Sequence, residues 1–166
     1  MPRGVYRRKR VPQLQTFSVE DVLHIDELRH LHEEVVSWRD SLEGTSLQNS
    51  NRYQLLGEAA SALSGAIDEL EGPIDELRHL VGELNFGDMK FEMLKVKGHQ
   101  SRAERLDGAL SLMAEAARTL KDNAETLSKF DEHLDEEQLE RLIELCDELE
   151  EKAESIQGYI EFPGDV

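Results

Sequence analysis

Apolar residues recur along most of this chain at spacings of three and four, the period of helices that bury one face. A first helix is expected from Ser18, where Ser18 and Asp21 approximate a capping box. Leu28, Leu31, Val35, Trp38 and Leu42 follow as its stripe, and Gly44 with the polar run behind it ends it. The strongest stripe comes next. Leu56, Leu63, Leu70, Leu77 and Leu84 recur every seventh residue, and Tyr53, Ala60, Ile67, Ile74 and Val81 stand three before each. Such a seam requires another helix against it. Gly72-Pro73 interrupts it, because proline lacks an N–H and costs about 3 kcal/mol inside a helix. A kink or break is expected at Gly72, with Pro73 opening a second helical piece in the same phase.

Residues 86–99 read as a loop running into helix. Lys90–Met93 alternates enough for a short strand, but no partner strand is evident. From Ser101 the heptad returns with Leu106, Met113, Leu120, Leu127 and Leu134, and Ala103, Leu110, Ala117 and Ala124 between them. Asp135–Gln138 forms a second capping-box candidate. The last stripe is Leu139, Leu142, Cys146, Leu149, Ala153, Ile156 and Ile160, closed by Gly158 and Pro163-Gly164. These elements predict an all-α fold, an antiparallel helical bundle or hairpin with coiled-coil-like seams. A helical domain over 18–160 would be flanked by an extended basic N-terminal arm over 1–17 and a C-terminal tail over 161–166. Leu56, Leu63, Ile67, Leu70, Ile74, Leu77, Val81 and Leu84 are the candidate seam residues. Helices of the same chain or of a second copy would satisfy the stripe equally well.

Charge sharpens the picture. The 166 residues carry a formal net charge of −17, but residues 1–17 hold five cations and no acid. The remaining 149 residues are therefore net −22. Residues 89–105 form a second basic patch of net +3, whereas Asp135–Glu154 is net −8. The lone Cys146 excludes a disulfide framework. No apolar run reaches the ~18–20 residues that span a bilayer, and no apolar segment follows the basic N-terminus as in a secretory signal. A soluble protein of the cytoplasm, or of a virion, is the expectation, without a membrane partner.

The heptapeptide IDELRHL occurs at Ile25–Leu31 and again at Ile74–Leu80, which suggests duplication of a helical unit. Each copy holds a Glu-x-x-His pair, Glu27 with His30 and Glu76 with His79. Di-iron bundles use this spacing, and Glu115 and Glu144 could add carboxylates. The heptad phase opposes that reading, since it turns Glu76 and His79 to solvent. No metal or other cofactor is expected. Cys146 falls on a core position, as a small buried thiol would. Phosphate-binding loops, dinucleotide fingerprints and nucleophile elbows are absent, so no catalytic residues are assigned and the chain reads as no enzyme.

The arm offers the sharpest chemistry. Arg3, Arg7, Arg8, Lys9 and Arg10 suit a phosphate backbone or an acidic protein surface, and Tyr6 could stack on a base. Pro2-Arg3-Gly4 resembles the centre of an AT-hook, although Val5 stands where an arginine belongs. Glu34–Glu71, through Trp38–Thr45 and Tyr53 leading into an Ala- and Glu-rich helix, resembles a stretch of small acidic helical bacteriophage proteins of mostly unknown function. The resemblance spans under a quarter of the chain and implies a phage product with no catalytic residues. The expectation is a non-enzymatic helical interaction protein for virion assembly or the capsid. Its partners would be a protein or a second copy through the seams, and nucleic acid or capsid protein through the arm. The alternative is an acidic inhibitor that blocks a host nucleic-acid-binding enzyme.

Overall fold

The computed structural model describes residues 12–96, 100–130 and 133–163. In chain order these form β1 (Pro12–Ser18), α1 (Val19–Val22), α2 (Asp26–Leu42), α3 (Asn51–Glu83), β2 (Lys90–Val96), α4 (Arg102–Phe130) and α5 (Glu136–Ile156). The protein is mostly helical, as its periodicity requires, but it is not purely so. Pro12–Phe17, expected in the arm, pair antiparallel with β2, from Pro12 opposite Val96 to Ser18 opposite Lys90. The loop expected over 86–99 is corrected with it, since the partner that Lys90–Met93 lacked locally lies far upstream, before the helices α2 and α3. The rest of the arm lies outside the described residues.

Local chemistry sets most boundaries. The Ser18 hydroxyl accepts the Asp21 N–H at 3.3 Å and caps α1. That helix stops after one turn, and Ile25 leads into α2, where one continuous helix was expected. Gly44, at φ +75°, takes the left-handed conformation that follows the end of α2. The Asp135 carboxylate accepts the N–H groups of Glu137 and Gln138 and starts α5. Leu134 falls in the turn beyond α4 and packs half-buried against the core from there, whereas Ala103 is exposed and does not join the seam expected of it. Phe162, assigned to the tail, packs against the core.

Of the kink or break expected at Gly72, the break is not there. α3 runs unbroken for 33 residues with Pro73 inside it. Proline at 73 removes the N–H that would bond the Glu69 carbonyl one turn earlier. Lys152 of α5 donates its Nζ to that carbonyl at 3.3 Å. A neighbouring helix thus answers the acceptor that the proline orphans, and Ile74 and Leu77 hold the following turn in the core.

The helices form two hairpins, α2–α3 and α4–α5, packed on each other through α3 with α5 and α2 with α4. Cross-helix pairs give the directions. Arg118 meets Glu150 and Lys121 meets Asp147, so α4 and α5 are antiparallel. Arg141 meets Glu76 and Gln138 meets Glu83, so α3 and α5 are antiparallel too. It follows that α3 and α4 point the same way. Their connection must return along the molecule, and β2 is part of that return. The core between the hairpins holds Leu28, Leu31, Leu56, Leu63, Leu110, Leu120 and Leu142, all fully buried. Ala114, Ala116, Ala117 and Ala124 let α4 approach closely, as small seam residues do.

Candidate functional site

The α3 seam is consumed inside the chain. Leu56, Leu63, Leu70, Ile74, Leu77, Val81 and Leu84 are buried, and Ile67 is half-buried against the same core. The choice left open by the heptads is therefore made within one chain, and little of that stripe remains to receive a partner. Both copies of IDELRHL point their first, fourth and seventh residues inward: Ile25, Leu28 and Leu31 in one, Ile74, Leu77 and Leu80 in the other. The glutamate of each copy accepts an arginine from the opposite hairpin. Arg105 of α4 reaches Glu27 at 2.7 Å, and Arg141 of α5 reaches Glu76 at 2.7 Å. These two carboxylates, candidates in the di-iron comparison, thus serve as ties between hairpins. Glu115 bonds Arg118, Glu144 bonds Arg141, and His79 lies 3.0 Å from Glu83. Among the described residues no three ligating side chains converge.

Surface charge is organised around three arginines. Arg105 bridges Glu27 and Glu34, Arg141 bridges Glu76 and Glu144, and Arg118 contacts Glu115, Glu150 and Glu154 at 2.8–2.9 Å. The Arg105 hydrogen bond holds the Glu34 carboxyl below its ordinary value, and the Arg141 bond does the same for Glu76. Much of the basic patch expected over 89–105 is thereby spent within the fold. Arg102 lies 3.7 Å from Glu34 and covers the Trp38 ring at 5.1 Å, with Arg52 over the same indole at 5.7 Å. Cys146 is buried in α5, and burial pushes its thiol up to about 12, which removes it as a nucleophile. No polar or charged side chain is buried among the described residues.

No protein-family model, curated protein or solved structure matches this chain.

The surface that stands apart is the β-ribbon. One face of it turns inward, with Phe17 stacked on Phe91 at 5.7 Å between ring centroids, Met93 half-buried and the Lys95 ammonium 5.9 Å from the Phe17 ring. Beneath it runs a groove of about 930 Å³ between α1 and α4, floored by Val22, Ala109, Leu112 and Met113 and rimmed by Asp21, Glu27 and Asp107. The outer face carries Leu14 directly opposite Leu94, and these side chains are 62% and 66% exposed. Among the described residues, large apolar side chains are otherwise exposed singly, at Leu47, Phe130 and Tyr159. β1 contains no charged residue, in a chain where one residue in three is charged. α4 packs against β2, and Gln13–Thr16 of β1 are all exposed.

The predicted arm residues Arg3, Tyr6, Arg7, Arg8, Lys9 and Arg10 lie outside the described residues. Their attachment point does not. Pro12, which follows them, is the first residue of β1 and pairs with Val96. The exposed leucine pair was missed in the sequence because Leu14 was assigned to the arm and Leu94 to a loop. The alternation of Gln13, Leu14, Gln15 and Thr16 was the one signal that could have found it.

Proposed function

We propose that this chain is a non-enzymatic interaction protein that presents one basic, partly apolar pole on an otherwise acidic helical body. The observation that carries the reading is the segregation of charge around the ribbon. Five cations precede β1 without an acid, β1 itself is uncharged, and the rest of the chain is strongly acidic. The helical body is the scaffold, with its seams and arginine ties turned inward. Residues 1–11 then act on nucleic-acid backbone, where each neutralised phosphate releases counterions. The acidic body repels the same polymer and limits the contact to that pole. The resemblance of Glu34–Glu71 to small phage proteins is what favours a role in virion assembly or beside the capsid.

Deleting residues 1–11 tests it while leaving β1 whole. Full-length protein should retard duplex DNA at low salt, with a log–log salt slope no steeper than about −4 to −5 for five cations. The truncated chain should not retard it. Equal retention by both would sink the reading. The net −8 of Asp135–Glu154 favours one other role, that of a host-directed inhibitor. That role predicts no DNA binding, and displacement of DNA from a basic host enzyme.

A further inference from the structure

We infer that two copies of this chain join through the free edge of β1, forming a continuous four-stranded sheet. The inference builds on the interaction-protein reading, yet it concerns a different surface and a different readout.

The ribbon's own hydrogen bonding fixes which groups are free. The Val19 N–H donates to the Met89 carbonyl at 2.8 Å. Positions 19 and 89 therefore form a hydrogen-bonded pair, and the register alternates from there. Phe17 with Phe91, Gln15 with Met93 and Gln13 with Lys95 are of the bonded kind. Leu14 with Leu94 and Thr16 with Glu92 are of the other kind, whose side chains approach more closely. The N–H and C=O groups of Leu14 and Thr16 accordingly point away from β2, toward the open edge. Natural edges are guarded by charge, bulges or covering elements. This edge has no charge, and its register is regular from Pro12 to Ser18.

A second copy fits that edge in an antiparallel register centred on Gln15. With a twofold axis through Gln15, Leu14 bonds Thr16 of the second copy and Thr16 bonds Leu14 of the second copy. That uses both free N–H and both free C=O groups on each side. Pro12 has no N–H to offer, so pairing stops there. Leu14 then sits diagonal to Leu14 of the second copy, within the ~7–8 Å at which diagonal neighbours still interact. The two exposed leucine pairs merge into one apolar ridge across four strands.

Charge selects the occupant. Two bodies of −17 repel at almost any other approach, whereas β1 meets β1 without a charge on either side.

Mass by light scattering and disulfide trapping test the arrangement on the full chain. At about 100 µM, roughly a hundred times a micromolar dissociation constant, wild type should run at twice 18.9 kDa. Leu14→Lys should reduce the mass to 18.9 kDa with an unchanged helical circular dichroism spectrum, and Leu47→Lys, at an exposed leucine elsewhere, should leave it doubled. Gln15→Cys places two thiols across the axis and should give a covalent dimer on mild oxidation, whereas Gln13→Cys, opposite Phe17 of the second copy, should not. A wild-type monomer at this concentration overturns the inference. So does a dimer that survives Leu14→Lys, or cross-linking by Gln13→Cys as fast as by Gln15→Cys. DNA retention reports the proposed function separately, so either can fail alone.

Discussion

Replacing Pro73 by alanine gives the sharpest test of how α3 tolerates its proline. A proline inside a helix costs about 3 kcal/mol relative to alanine. Part of that is recovered here, because Lys152 Nζ donates to the Glu69 carbonyl left without a partner, and a hydrogen bond of this kind contributes about 0.5–1.5 kcal/mol net. Proline also restricts the unfolded chain, by about 0.4–1 kcal/mol in its favour. The balance predicts that Pro73→Ala stabilises the protein by about 1 kcal/mol, a rise of roughly 2–4 °C in Tm for a chain of this size. Lys152→Met should then cost about 0.5–1 kcal/mol more in the wild-type background than beside Ala, where a backbone N–H already serves Glu69. The part of the lysine's effect owed to its other contact, Glu148 at 2.9 Å, cancels in the cycle. Urea denaturation of the four proteins at one concentration, followed by circular dichroism at 222 nm, measures the coupling. Equal costs of Lys152→Met in both backgrounds would refute the compensation, and a loss of stability in Pro73→Ala would refute the account of the proline itself.

Acidification should expose the Arg105 tie. Because Arg105 lowers the folded-state pKa of Glu34, the bond contributes fully above the ordinary carboxyl value of 4.5 and is lost as pH falls through the lowered one. Wild type should therefore lose more stability between pH 7 and pH 3 than Arg105→Met does, in urea midpoints taken at each pH, and parallel profiles would contradict it. Cys146 should resist a thiol reagent at pH 8 in the native protein and react stoichiometrically in denaturant, since its thiol is buried and titrates near 12. Native labelling as rapid as that of a free thiol would place the residue elsewhere than in the core.

The helices were legible because their information is local. The heptads from Leu56 to Leu84 name the residues that are buried, and Asp135 caps the helix expected of it, whereas Ser18 caps only the single turn of α1. Two features escaped for the same physical reason: each depends on a partner distant in sequence. The penalty at Pro73 is local, but its remedy is Lys152, on another helix. β1 and β2 each look like poor strands in isolation, and neither is stable without the other. The phase error at Ala103 is of another kind. The heptad was extended upstream to a position where α4 has only begun, and the buried set there starts at Leu106. The candidate surface was half visible: the cations before Pro12 stood out in the sequence, and the exposed leucine pair beside them needed the ribbon's register.

The return path between α3 and α4 has a consequence for how the molecule is made. The strand that anchors the basic segment leaves the ribosome well before its mate, which ends at Val96 and follows only after α2 and α3. Pairings this far apart in the chain form late, since loop closure must come first. Until then Phe17 travels without the Phe91 ring it stacks on in the fold. The helical hairpin emerges before the ribbon can close, and the cationic end is fixed to the scaffold only when the crossover has been synthesised.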